Sequence, residues 1–351
     1  MSRRFLVIAY TVLAVGLVDV APGAAGQTDT PGSSDWTAPR APDGHPDLQG
    51  VWSNNGATPL ERPELLGDRA YLTEEEVATL QARASELFNG ETDAAFGGSV
   101  FETVLQDAND YQSGDGVTTE TPDGTGNYNQ FWLVDREFDN RTSLIVDPPN
   151  GRLPARTAGA VQRAEAGRAL RRAHPADSYS DRNVDDRCIS YGVPRTSAGY
   201  NSYFQILQTP THVAILQEMI HEVRLIPMME QPHLPTQIRQ YTGDSRARWE
   251  GDSLVVETTN FSPKSDVRDS TERIKTVERF TLVAPDRLNW EVTFTDADTW
   301  TNPWTLMIRL AKSDEAIFEY ACHEGNYSMA GILSGHRAEE RAAAATASES
   351  R

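Results

Sequence analysis

The chain has 351 residues, with 51 acidic and 32 basic side chains, and a formal net charge of −19. An acidic balance of that size repels nucleic acid and anionic membrane surfaces, and neither is expected as a partner. Only Lys264, Lys275 and Lys312 are lysines. The remaining positive charge is arginine, which follows from base composition or from a need for planar contacts to carboxylates.

Residues 1–26 read as a secretory signal peptide. Arg3 and Arg4 precede an apolar run from Phe5 to Val18, and small residues follow at Ala24-Ala25-Gly26. The run is short for a membrane span, so no stable membrane insertion is expected once the peptide is removed. The alternative is an uncleaved anchor. The expected destination is the periplasm or the medium. A mature chain of roughly 325 residues suffices for one large or two modest domains.

Residues 27–47 are rich in Pro, Ser, Asp and Gly and read as an extended arm. Residues 48–199 form a first strand at 48–52 followed by a helical and loop elaboration. Thr73 with Glu76 makes a capping box, and Val77, Leu80, Ala84 and Leu87 share the face of the helix it opens. Residues 89–130 read as a long loop, 130–134 and 141–146 as strands, and 157–173 as a second helix. Residues 174–199 form another loop.

Residues 200–336 carry strand signals at regular spacing: 203–208, 212–219, 223–227, 247–250, 254–260, 274–283, 288–295, 303–309 and 317–322. Leu288, Trp290, Val292 and Phe294 alternate with Asn289, Glu291, Thr293 and Thr295, the period of a half-buried strand. The expected fold is mainly β, an antiparallel up-and-down barrel, with a two-sheet sandwich as the alternative. Residues 337–351 are a tail in which a short helix frays.

Cys188 and Cys322 are the only cysteines. In an exported protein they most simply form one disulfide, closing a loop of roughly 130 residues. The alternatives are a thiolate metal ligand and a reactive thiol.

Two constellations carry candidate chemistry. His221, His233 and His323, with Glu324, are ligand types suited to zinc or another divalent metal, although no recognised spacing is present. They serve equally as proton-transfer groups, or as hydrogen-bonded structural residues. Glu257 and Glu319 lie in strand segments where a desolvated carboxylate acts as acid or base. Glu278 and Glu291 read more readily as ion-pair partners for neighbouring arginines. Arg224 and Arg246 would hold an anionic group or a developing oxyanion. Trp249, Trp300, Trp304 and Tyr327, with His233, would wall a pocket. No nucleophile elbow, phosphate-binding loop or dinucleotide fingerprint is present.

Residues 42–52 (PDGHPDLQGVW), 147–154 (DPPNGRLP), 243–261 (GDSRARWEGDSLVVETTNF) and 320–327 (YACHEGNY) resemble a large family of exported, mostly uncharacterised bacterial proteins. The resemblance covers most of the mature chain and implies export, but no activity. Residues 200–336 are also similar to the lipocalin-like group, which implies a barrel. That group includes ligand carriers and cofactor-independent hydratases, decarboxylases and cyclases.

The function expected from these residues is cofactor-independent acid–base chemistry of the isomerase, hydratase, lyase or cyclase type. The substrate is a small, partly apolar metabolite held in a barrel pocket. His221 and His323 transfer protons, and Glu257 or Glu319 orients them or shares that role. The alternatives are a non-catalytic ligand-binding barrel, a metal-dependent hydrolase using His221, His233 and His323, and a structural envelope protein.

Overall fold

The computed structural model of the chain describes residues 36–87, 98–105, 136–228, 231–265 and 267–349. The signal peptide, most of the arm and the expected strand 130–134 lie outside these residues, as does the side chain of His221. Residues Thr37–Arg351 form one compact unit; of the other, Met1–Trp36, only Trp36 is described.

The unit is built on one antiparallel sheet of ten strands. These are β1 (Gly50–Ser53), β2 (Ile145–Asp147), β3 (Tyr203–Gln208), β4 (His212–Gln217), β5 (Glu222–Pro227), β6 (Asp244–Glu250), β7 (Ser253–Thr259), β8 (Lys275–Ala284), β9 (Arg287–Thr295) and β10 (Trp304–Ser313). The order is β5-β4-β3-β1-β10-β9-β8-β7-β6, and β2 pairs with β10. This is a single sheet and not two. It is open, ending at β5 and β6, with one isolated bridge between Met228 and Ala247. β1 inserts between β3 and β10, so the strand nearest the N-terminus completes the sheet made by the C-terminal half.

Alternation decides which face is buried. Phe280 on β8, Trp290 on β9 and Ile308 on β10 are neighbours in register, and all three are buried. Asn289, Glu291 and Thr293 point the other way. The sheet curls until Arg224 on β5 meets Glu278 on β8, six places along the strand order. Arg224 Nη1 and Nη2 donate to the two carboxylate oxygens at 2.5 and 3.0 Å, and Trp290 Nε1 adds a third donor at 3.1 Å. Glu278 is 0% exposed.

Helices α1 (Glu74–Leu87) and α2 (Gly98–Leu105) pack with Leu66, Leu72 and Phe138 in a second, smaller core. The Thr73 capping box forms: Glu76 N–H donates to Thr73 Oγ1 and Thr73 N–H to Glu76 Oε2. α2 falls in the stretch read as loop. Its Val100, Phe101 and Val104 are buried against α1, and that apolar spacing outweighs the surrounding Gly and Asp. α3 (Ala158–Ala173) starts at Thr157, whose side chain accepts from Ala160 N–H.

The end of the chain departs most from expectation. Residues 317–322 are not a strand. β10 already has β1 and β9 as neighbours, and Phe318 N–H donates to the Glu218 carboxylate at 3.0 Å, not to a ladder. α4 (Tyr327–Glu349) then begins well before residue 337, as its alanine content favours. Cys188 and Cys322 form the disulfide, with Cα atoms 5.7 Å apart.

Two stability outcomes follow. Removing one partner of a buried pair strands the other charge, so Glu278→Ala should lower unfolding free energy by about 3–5 kcal/mol. Glu291→Ala, half-exposed on the neighbouring strand, should cost about 0–1 kcal/mol. Urea titration distinguishes them, and equal losses would contradict the assigned sheet faces. The disulfide spans 134 positions, so the Cys188→Ser, Cys322→Ser double variant should lose about 3–5 kcal/mol in the same titration.

Candidate functional site

The expected site residues separate into three regions. The first is the buried face of the sheet. Arg224 is engaged there by Glu278, which leaves neither prong for a ligand. Glu222 accepts from Ser190 Oγ at 3.0 Å and Gln217 Nε2 at 2.7 Å, and burial raises its pKa above the usual carboxylate range. Trp300 and Trp304 pack on each other and on Phe294 in the interior, with the Phe294 and Trp304 rings 4.4 Å apart.

The second region gathers His233, Arg246 and Glu257 around Asp244, which sequence reasoning missed. Glu257 lies on β7 opposite Arg246 in register, and Asp244 opens β6 two residues before Arg246. His233 Nδ1 lies 2.8 Å from Asp244 Oδ2, and its Nε2 lies 3.5 Å from Glu257 Oε1. Leu234 N–H and Arg246 Nη1 also donate to Asp244, at 3.0 and 2.6 Å, and Lys275 pairs with Glu257 at 2.7 Å. Asn260 Nδ2 donates to the Leu234 carbonyl, which fixes the loop that carries His233.

Burial works against ionised Asp244, but Leu234 N–H, His233 and Arg246 outweigh it and hold the carboxyl below its ordinary range. Burial opposes ionised Glu257 too, and Lys275 chiefly reverses it. An imidazole oriented by a carboxylate is the arrangement of a general base. Here the second nitrogen faces another carboxylate, and none of these residues lines a described cavity of the sheet. The cluster is a charge network around the loop that carries His233. Trp249 stacks on His45 at 4.7 Å, and both line a separate recess of about 310 Å³.

The third region is a cavity of about 500 Å³ beneath the disulfide and the start of α4. Tyr191, Tyr200, Phe318 and Tyr320 supply rings, and Asn201 and Glu319 supply polar groups. Cys188, Asn201 and Ile220 also line it, and all three hold left-handed backbone, with φ of 55°, 43° and 57°. For a β-branched residue such as Ile220 that conformation is costly and persists only where the surroundings impose it. Arg195 staples the wall by donating to the Tyr200 and Asn201 carbonyls at 2.6 and 2.8 Å.

Behind Asn201 and Phe318 lies Glu218, 2% exposed. Burial raises its pKa above the usual range, although Phe318 and Tyr203 N–H groups, the Asn201 side chain and Arg195 favour the charged form. No periodicity signal marks Glu218. It follows Gln217, and both are buried, which breaks the alternation that would have turned Glu218 outward. Of the expected residues, Glu319 lines this cavity; His323, Glu324 and Tyr327 are exposed beside it and do not.

Among the described residues, one group brings His, Asp and Glu donor atoms within 4.8 Å of one another: Asp177, His336 and Glu340. The expected ligands His233, His323 and Glu324 are not in it. The chain matches no protein-family model, no curated protein and no solved structure.

The Asp244 network predicts a pH dependence with a definite sign. A carboxyl held below its unfolded value contributes stability that is complete above about pH 4 and is lost as pH falls through the folded value. Asp244→Asn should lower the thermal midpoint at pH 7 and approach the wild type at the acid end. A constant difference across pH 7 to 2 would show that the charge is not what holds the loop.

Proposed function

We propose that this is an exported small-molecule-binding protein whose ligand occupies the cavity beneath the Cys188–Cys322 disulfide. The cavity itself carries the reading. Its volume of about 500 Å³ lies within the range for small-ligand sites, and its open, mixed lining sets the four rings beside Asp185, Asp186, Asn201 and Glu319. Tyr191, Tyr200, Phe318 and Tyr320 suit a flat or partly apolar ring, and Asn201 and Glu319 suit hydrogen bonding at its edge. The disulfide favours export, and no helix among the described residues is long and apolar enough to cross a membrane. The bridge between Met228 and Ala247 at the sheet's two ends supports the lipocalin-like reading of the fold.

Isothermal titration with phenol and 2-naphthol tests this reading. Both should bind, and Met329→Trp, which projects into the cavity from α4, should abolish binding without lowering the thermal midpoint. Equal binding by wild type and variant would move the ligand elsewhere.

Glu218 supports acid–base catalysis as a second reading. A carboxyl with a raised pKa keeps its proton closer to neutral pH and serves as a general acid. In this reading Glu218 replaces His221 and His323 as the proton-transfer group. Glu218 then protonates the carbonyl oxygen of a bound ketone while water takes the proton from the neighbouring carbon, so Glu218→Gln should stop deuterium exchange at that carbon, followed by NMR, while leaving ligand affinity within a few-fold. The wild-type rate should fall as pH rises through the Glu218 pKa. Unchanged exchange in the variant would remove catalysis and leave binding intact.

A further inference from the structure

The last helix meets the end of α3 at a group of side chains that belongs neither to the sheet nor to the cavity beneath the disulfide. α3 ends at His174, whose backbone N–H donates to the Leu170 carbonyl at 2.8 Å. Asp177 follows three residues on. His336 and Glu340 stand one turn apart on α4, so they share a face. His336 Nε2 lies 3.1 Å from Asp177 Oδ1 and 3.6 Å from Glu340 Oε1. One donor atom from each of these three residues lies within 4.8 Å of the other two. Asp177 and Glu340 are exposed and His336 is half-buried, so the group is open to solvent.

Hydrogen bonding alone does not balance this group. A ring nitrogen carries at most one proton and cannot serve two carboxylate oxygens well. Two carboxylates held at one nitrogen also repel each other. Yet the atoms turned away from the common point each face another neighbour. Asp177 Oδ2 lies 2.7 Å from His174 Nδ1. Glu340 Oε2 pairs with Arg337 Nη1 at 2.8 Å, and Arg337 Nη2 donates to the Ala176 carbonyl at 3.0 Å. His336 Nδ1 faces Glu339 Oε2 at 3.7 Å. Metal ligands are oriented in this way: an outer group engages the far atom of each ligand, and the near atom turns to the ion.

The distances fit as well. Ligand atoms about 2.0–2.2 Å from a tetrahedral zinc ion lie about 3.3–3.6 Å from one another. The two contacts at His336 Nε2 are 3.1 and 3.6 Å. We infer that His336, Asp177 and Glu340 bind a divalent transition-metal ion of the zinc type, with His174, Arg337 and Glu339 holding the ligands in place. The imidazole separates this ion from calcium and magnesium, which take oxygen ligands. Three protein ligands leave the fourth position of a tetrahedral ion to water. The ion ties α4 to the segment after α3, joining residues 159 positions apart in the chain. It shares no residue with the cavity beneath the disulfide.

Isothermal titration of the EDTA-treated, dialysed full chain with zinc chloride tests the site, with calcium and magnesium chloride for comparison. Wild type should bind one zinc per chain, and calcium and magnesium at least tenfold more weakly. His336→Gln, Asp177→Asn and Glu340→Gln should each weaken zinc at least tenfold. His174→Ala, which touches Asp177 and not the ion, should weaken it about tenfold. His323→Gln should leave it unchanged. Zinc should raise the thermal midpoint of wild type and not that of His336→Gln, because the ion binds the folded chain. No zinc binding by wild type, unchanged affinity in the His336 and Asp177 variants, or calcium binding as tight as zinc would each overturn the inference. So would a His336→Gln chain that melts lower without metal yet binds zinc like wild type, because the imidazole would then be a hydrogen-bonding group only.

Discussion

The Arg224–Glu278 pair is the constraint on which the shape of the sheet depends. Two charges have been taken out of water, and that cost is offset only if both prongs of the guanidinium and both carboxylate oxygens are engaged. The distances of 2.5 and 3.0 Å meet that condition. Since one partner is on β5 and the other on β8, the condition can be met only when the sheet is curled. Apolar packing favours many degrees of curl about equally well. A two-pronged ion pair has one geometry, so it selects among them. The Trp290 indole N–H removes the last freedom of the carboxylate.

The disulfide acts by a different route. It fixes no strand, since residues 317–322 run outside the sheet. It holds that irregular segment against the loop carrying Cys188, and the cavity is the space left between them. Glu218 holds the segment at a second point by accepting the Phe318 N–H. A covalent bond and a partly buried hydrogen bond thus keep four aromatic side chains around the space.

The sheet was legible because its information is periodic. Leu288 to Phe294 alternate without interruption, and β9 covers that stretch; β3 matches the residues read from sequence at both ends. The capping box at Thr73 and Glu76 and the cap at Thr157 were legible for the same reason, since each uses residues close in sequence. The candidate site was not. Ile317 to Cys322 reads as a strand because it is apolar and aromatic, but β10 is already paired on both sides, and the Glu218 carboxylate and the disulfide hold the segment elsewhere. Glu218 and Asp244 gain their significance from burial, and burial depends on which loops return to cover them. Asp177 and His336 are a further case. They stand 159 positions apart, and nothing within either segment shows that the two meet.

Backbone strain points to the same places. Six non-glycine residues among those described have positive φ: Cys188, Asn201, Ile220, Asn260, Arg268 and Asp269. The first three line the cavity beneath the disulfide. The last three belong to the connection between β7 and β8, where Asn260 anchors the His233 loop and Arg268 turns over Trp304. Left-handed backbone at such residues costs of order 1–3 kcal/mol each and is retained where surrounding contacts over-determine it. Scattered strain would be a by-product of connecting ten strands. Cys188, Asn201 and Ile220 come from separate stretches of chain that converge on one cavity, and there side-chain placement overrides backbone preference. Those stretches bring rings and carboxyl groups around a space, and the connection between β7 and β8 carries the Arg268 guanidinium over the Phe294 and Trp304 rings. Neither placement is needed to curl the sheet, which the Arg224–Glu278 pair already holds. The strain around the cavity therefore marks a wall whose shape is imposed by its contacts and not by the local preference of its chain.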